Sequence, residues 1–300
     1  MHVVSVSLGS RTGDFTRDIT LGGQQIRLTR EGTDGNFERA HQRIQELDGT
    51  VDALGLGGID IYLYVNGHQL VIGDGLRLAQ AARQTPVVDG SGLKNTLERT
   101  VVRDLAHKGL ITAHSRVLMV SALDRFGMAE AFVNLGCSCV FGDIIFNIGL
   151  DFPQTTLTEI EKLALKYKER LRTVPFHMLY PTGAAQDQSD SDTTKHKYYR
   201  DADVIAGDCH LILRHLPEHV GSKGIVTNTT REHSMQRLES AGVRWVATTT
   251  PNMDGVSGAT NLMEAALVAL IKKSPADITP QDYEEWIERL GWCGAIHPLN

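Results

Sequence analysis

Short apolar runs that end in glycine or small polar residues alternate along this chain with stretches whose apolar residues recur three and four positions apart, the signature of strands followed by helices. VVSVSLGS reads as a strand opening into a Gly-Ser-Arg loop, and QQIRLTREG as a second strand. Phe37, Ala40, Ile44 and Leu47 form a helical stripe, and VDALGLGGID supplies the next strand. YLYVNGHQLVI sets Asn66-Gly67 between two apolar arms, a hairpin signal. A helix over Leu76 to Ala82 leads to VVDGSGLKNTLERTVV, where a strand ends in Asp89-Gly90-Ser91-Gly92 and a helix over residues 93 to 108 begins at once. Lys94 and Asn95 stand at its start, where unpartnered backbone N–H groups favour an anion.

A second series begins at Ser115. SRVLMVSAL is a strand, DRFGMAEAFVNLG a helix, SCVFGDIIF a strand, and residues 156 to 172 an amphipathic helix. Residues 182 to 197 carry no apolar period and form a long polar loop, solvent filler or a lid, with filler preferred. DADVIAGD, GIVTNTT and VRWVATTTP are three further apolar runs. The tail has a helix start signal at Asp277 or Thr279 and one face of Tyr283, Trp286 and Leu290, for packing on its own lobe or for homodimerisation; the pattern leaves both open.

The order predicts an α/β protein of two lobes with a cleft between them: an N-terminal α/β substrate lobe over 1–112, a C-terminal Rossmann-like lobe with a doubly wound parallel sheet over 113–274, and a helical tail over 275–300. Three hundred residues, 41% of them hydrophobic, suffice for two cores. A net charge of −6 with no basic run and few aromatics argues against a nucleic-acid surface. No apolar run approaches the roughly 20 residues that cross a bilayer, so no membrane partner and a cytoplasmic location are expected. The four cysteines lack metal-site spacing; Cys137 and Cys139 read as buried thiols on one strand face, and no metal is expected.

In open parallel sheets ligands bind beyond the carboxyl ends of the strands. Those ends carry Ser7 to Arg11, Gly55 to Asp60, Asp89 to Asn95, Ser121 to Arg125, Asp143, Asp208 to His210, Thr227 to Thr230 and Thr248 to Pro251. Each cluster alone also makes good turns and caps. VLMVSALDRFGMAEAF occupies the place of a dinucleotide-binding strand, loop and helix, and Asp143 follows at the distance of a ribose-binding acid. Ser121, Arg125, Gly127 and Asp143 are therefore candidate NAD or NADP contacts, with Asp143 favouring NAD. The loop departs from G-x-G-x-x-G, because Ala122 and Asp124 stand where two glycines belong.

VVDGSGLKNTLER, ALDRFGMAEAFVNLGCSCVFGDIIF, YYRDADVIAGD and VTNTT followed by ATTTP resemble the bacterial proteins known as quinate 5-dehydrogenases, distant from the shikimate and quinate dehydrogenases, over most of residues 50 to 270. The resemblance implies a substrate lobe, a nicotinamide lobe, and oxidation of a ring hydroxyl on a cyclic polyhydroxy carboxylic acid. It implies a lysine and an aspartate for proton transfer; by position these are Lys94 with Asp89 or Asp124. Ser7, Ser10, Arg11 and Asn95 are then candidates for a small anionic substrate, and Thr227, Asn228 and Thr249 for the nicotinamide side. Lys94 would need a depressed pKa or a proton relay to act near neutrality.

Two other classes compete: a non-catalytic sensor of small anions with a degenerate nucleotide lobe, and a non-redox lyase or isomerase using Lys94, Asp89 and His210. MDGVSGAT also resembles the D-x-x-[ST]-G-A-T sequence that carries covalent flavin mononucleotide, here at Thr260; a turn capped by Asp254 explains the same residues and is preferred.

Overall fold

The structure, a computed structural model, describes residues 1–179, 190, 192–253 and 256–299. The first half contributes β1 (His2–Ser7), β2 (Phe15–Leu21), β3 (Gln24–Gly32), α1 (Phe37–Leu47), β4 (Ala53–Gly57), the hairpin β5 (Tyr62–Val65) and β6 (His68–Val71), α2 (Gly73–Ala79), β7 (Val87–Val88), α3 (Ser91–Asn95) and α4 (Leu97–His107). Its sheet runs β2-β3-β1-β4-β7, parallel except for β2. β2 lies in a stretch with no clean alternation; it forms because Gly22 and Gly23, both at positive φ, turn the chain back along β3.

The second half contributes β8 (Arg116–Met119), α5 (Phe126–Asn134), β9 (Ser138–Phe141), α6 (Leu157–Leu171), α7 (His196–Asp201), β10 (Val204–Gly207), α8 (Cys209–Arg214), β11 (Gly224–Thr227), α9 (Glu232–Ser240), β12 (Trp245–Thr248), the short pair β13 (Asn252–Met253) and β14 (Val256–Ser257), α10 (Thr260–Ile271), α11 (Pro280–Arg289) and β15 (Ala295–Pro298). The sheet order is β9-β8-β10-β11-β12-β15, with β15 alone antiparallel. Counted from β8, the parallel strands follow the order 2-1-3-4-5 of flavodoxin-like sheets rather than the 3-2-1-4-5-6 of dinucleotide folds; the order reverses between β8 and β10. The two-lobed α/β architecture with a parallel second sheet is therefore present.

Burial along the second sheet has a period of two. Val117, Met119, Val204, Ala206, Val226 and Ala247 join the core that runs on into the first half, whereas Leu118, Val120, Ile205, Ile225 and Val246 form a separate core with Tyr199, Ile212 and Leu238. The sheet is thus covered on both faces, as a parallel sheet must be.

Packing departs from the expected boundaries in two places. α10, inside the stretch assigned to the second lobe, lies on β4 and β1 of the first sheet, and the tail supplies β15 to the edge of the second. The chain thus crosses between halves after β12 and again after α11. Two elements also differ. The helix expected over 93–108 breaks at Thr96 into α3 and α4, and the strand expected through Phe146 stops at Phe141, where Ile144–Ile148 forms a π-helical turn. Of the polar stretch 182–197, residues 182–189 and 191 lie outside the described residues, while its end is anchored: Lys195 is buried and donates to Asp190 at 2.6 Å. α11 starts at Thr279, whose capping box with Asp282 settles the alternative with Asp277.

Candidate functional site

Four strand ends converge. β4 leads through Gly58 and Ile59 to Asp60, β7 leads to Asp89 and α3, β8 leads to Asp124 and Arg125, and β10 leads to Asp208. Lys94, buried on α3, donates to Asp60 Oδ1 at 2.6 Å and to Asp124 Oδ1, so one ammonium ties a carboxylate of the first half to one of the second. Arg125, also buried, pairs with Glu98 of α4 and has Asp208 Oδ2 at 3.6 Å and Asp124 Oδ2 at 3.7 Å. The two crossings are complementary: the first half offers Lys94 and Glu98, the second Asp124 and Arg125.

Burial opposes the charge on Lys94, but Asp124 and Asp60 outweigh it and hold the ammonium above the ordinary lysine range. The depressed lysine pKa that direct base catalysis would need is therefore not what this environment produces. Burial, then the negative charge of Asp124, pushes Asp60 up to about 7 against the pull of Lys94. Burial would raise Asp124 too, yet Lys94 and Arg125 hold it down at about 2. The cluster thus separates two carboxylates: Asp124 stays ionised, and Asp60 exchanges its proton near neutrality. Asp60 was visible as the polar close of a strand, but nothing in its spacing told it apart from the other seven clusters. Glu98 gave no signal beyond a charge in a helix; burial lifts it to about 7 despite Arg125.

The remaining candidates scatter. Asp89 accepts from the backbone N–H groups of Ile61 (2.5 Å), Tyr62 (2.9 Å) and Ser91 (2.9 Å), so both its oxygens are engaged in fixing the hairpin and α3. It is a structural acceptor rather than a proton carrier. The anion expected at the glycine turn is part of the protein: Glu264 of α10 accepts from Gly90 N at 2.5 Å and Gly92 N at 3.1 Å. Asn95 donates back to Ser91 O within its own helix. Ser7 is buried and accepts from Gly9 N at 3.1 Å. Arg30, unremarked in the sequence, reaches Ser7 Oγ, Ser10 O and Asp14 Oδ1. Ser10 caps a short turn at Thr12, and Arg11 is exposed and paired with Asp34. Arg11 lines a different place, an open groove of about 460 Å³ with Asp14, Glu31, Arg39 and Arg43.

The nucleotide candidates do not fit a pyrophosphate. Asp143 turns inward and accepts from the backbone N–H groups of Ala122 (3.1 Å) and Leu123 (2.9 Å), consuming donors that a phosphate would use. Its burial pushes it up to about 6, which those two hydrogen bonds counter. Arg125 is sealed by Glu98. Gly127 is small for a different reason: a Cβ there would stand 2.8 Å from Lys94 O, so the glycine admits α3 rather than a ligand. Ser121 Oγ accepts from Asp208 N at the reversal point, Thr227 donates to Gly207 O at 2.8 Å, and Asn228 donates to Asp208 at 3.2 Å, so these tie neighbouring strand ends together. Thr249 is fully buried with its hydroxyl unpartnered. Thr260 is the first residue of α10 and 6% exposed, its hydroxyl buried and not presented for attachment; Asp254 lies outside the described residues. Among the described residues no group of three or more His, Cys, Asp and Glu is arranged to hold a metal ion, and no helix is long and apolar enough to cross a membrane.

Fold and site define a two-lobed α/β protein with a buried lysine and carboxylate cluster at the meeting of its strand ends. The chain belongs to the family described as Domain of unknown function (DUF8754), which matches residues 92–299; a second, Domain of unknown function (DUF8753), matches residues 2–89, so the two meet at the glycine turn before Lys94. No curated protein matches. Among solved structures the chain is similar to a galactofuranose binding protein (13% identity, 97% of this chain and 99% of that one, TM-score 0.37). It is also similar to the periplasmic binding protein component of an arabinose ABC transporter from Shewanella sp. ANA-3 (10%, 100% and 92%, TM-score 0.37). A third is the NAD-dependent malic enzyme of Thermotoga maritima (14%, 96% and 83%, TM-score 0.31).

Proposed function

We propose that the junction is a proton-transfer site acting on a ring hydroxyl of a small polyhydroxylated carboxylic acid, quinate- or shikimate-like, within an oxidoreductase of the NAD- or NADP-dependent class. The observation that carries this reading is the Lys94 ammonium buried between Asp60 and Asp124, where strand ends of both halves meet. Asp60 is the relay that the lysine needs: ionised, it accepts the hydroxyl proton, while Lys94 stays charged and stabilises the developing alkoxide. Asp124 keeps the ammonium charged and in place. The dinucleotide half of the reading rests on the resemblance of VVDGSGLKNTLER and its companion motifs to quinate 5-dehydrogenases; the occupied amides of Ala122 and Leu123 offer it no pyrophosphate cradle.

Purified protein incubated with quinate or shikimate and NAD or NADP tests this by the near-ultraviolet absorbance of reduced nicotinamide. Reduction is expected only with an acid present, rising with pH through about 7 as Asp60 ionises, and lost in Asp60→Asn. The same occupied amides favour a second reading, a small-ligand-binding protein without turnover. Calorimetric binding of a hydroxy acid or a neutral sugar with no nucleotide reduction under any pairing selects that reading and discards the first.

A further inference from the structure

We infer that Glu264 is a positioning residue, which sets the Lys94 ammonium between Asp60 and Asp124 by holding the first turn of α3. The inference rests on the reading of Lys94 as the working cation and adds a residue 170 positions away in sequence, by difference of the two numbers.

α3 has five residues, too few to hold itself in water, and its cap Gly90, at φ 100°, provides no side chain to satisfy the free backbone donors. Glu264, 2% exposed, does so from α10: one oxygen accepts from Gly90 N, the other from Gly92 N. Tyr283 of α11 donates its hydroxyl to that second oxygen at 2.6 Å, fixing the rotamer. Contact is close enough that a Cβ on Gly92 would stand 2.5 Å from the Tyr283 ring. Lys94 N in turn donates to Gly90 O at 2.9 Å, so the ammonium hangs one turn below the held amides. Asp89 braces the same turn from the hairpin side through Ser91 N. Moving α10 or α11 therefore moves the Lys94 helix. The charged and titratable groups facing the cluster are Asp89, Tyr64 and Tyr283 around Glu264, and Lys94, Asp89, Asp124 and Arg125 around Asp60.

The test uses the full chain and reads no turnover. In Glu264→Gln one glycine amide faces an NH₂ group and loses its acceptor. Amide exchange at Gly90 and Gly92 is expected to speed up at least about tenfold, and the Asp60 carboxyl titration, followed by carbon NMR, to move up by about one unit as Lys94 recedes, a tenfold rise in proton affinity. Tyr283→Phe, which keeps both glycine contacts, should move Asp60 the same way by less, and it carries the test if Glu264→Gln does not fold. An Asp60 titration unchanged in the folded variants overturns the inference, whatever happens at the glycines. Failure of the oxidoreductase reading appears separately, as absence of nicotinamide reduction in the unmodified protein.

Discussion

At the junction, the side chains of Lys94 and Arg125 are 9% and 2% exposed; at the outer groove of the first half, those of Arg11 and Arg43 are 45% and 36% exposed. Both regions pair cations with carboxylates at hydrogen-bond distance, and both draw on loops after strands of the first sheet. Solvent separates them. Pairs in water gain little, because the ions were already well solvated and the long side chains lose freedom. Around Lys94, Asp60, Arg125 and Glu98, whose side chains are nearly sealed, little water can replace a lost partner, so each of these groups depends on its neighbours for its charge. The contrast teaches that a charged strand end says little until its depth is known.

The largest break in that contrast comes from removing one side of a buried pair. Lys94→Met leaves Asp60 and Asp124 facing each other, and proton transfer is expected to fall by about 10²–10⁴-fold in the nicotinamide assay. Arg125→Met strands Glu98, and thermal or denaturant unfolding should show a loss of about 3–5 kcal/mol. The double variant Glu98→Leu with Arg125→Met removes both charges and should recover much of that loss. Were Arg125→Met to cost no more than Arg43→Ala, for which about 0–1 kcal/mol is expected, depth would not be the property that divides the two regions.

Depth is also what the amino-acid order conceals. The apolar runs and glycine turns announced strands, helices and the two-lobed layout, because period and punctuation are local properties. Asp89-Gly90-Ser91-Gly92-Leu93-Lys94 was legible as a strand turning into a helix with donors in want of an anion. That the anion is Glu264 was not, since the partner lies on a helix that leaves the second half to pack on the first sheet. Asp143 fell at the spacing of a ribose acid, but spacing fixes the end of a strand and not where its carboxylate turns. Lys94, Asp124 and Arg125 were singled out and do meet; Arg11, a candidate for the substrate, lies in the open groove. β2 was missed because an edge strand with one exposed face, FTRDITL, has few apolar positions.

A smaller effect, with a definite sign, follows from the buried acids. Burial raises Asp60, Glu98 and Glu264 to about 7 and Asp143 to about 6, all above their unfolded values. Their contribution is full below the unfolded values and is lost as pH rises through 6 to 7, since the folded state must then hold charges that burial disfavours. Asp124, Asp190 and Asp203, held at about 2 by cationic partners, act oppositely and withdraw stability only as pH falls towards 2. The melting temperature should therefore peak near about pH 4 and decline from there to about pH 7. Glu98→Gln should flatten that decline. A melting temperature that climbs steadily from about pH 5 to 8 is incompatible with a junction this deep.

The smallest expected effect sharpens the comparison from the solvent side. Arg11 and Asp34 meet at 3.2 Å with roughly half of each side chain in water, and Asp34 also accepts from the Arg11 backbone N–H at 2.9 Å. Arg11→Ala removes only the side-chain part of this contact, which salt screens, so unfolding should change by less than about 1 kcal/mol. Asp34→Ala also frees the backbone donor to water and places alanine at φ 54°, a left-handed conformation that aspartate tolerates better, so it should cost more, about 1–2 kcal/mol. Neither substitution touches Lys94, Asp60 or Asp124, so hydroxy-acid affinity should stay unchanged in both. A clear loss of affinity in Arg11→Ala alone would move the substrate carboxylate to the groove and make the two regions parts of one site.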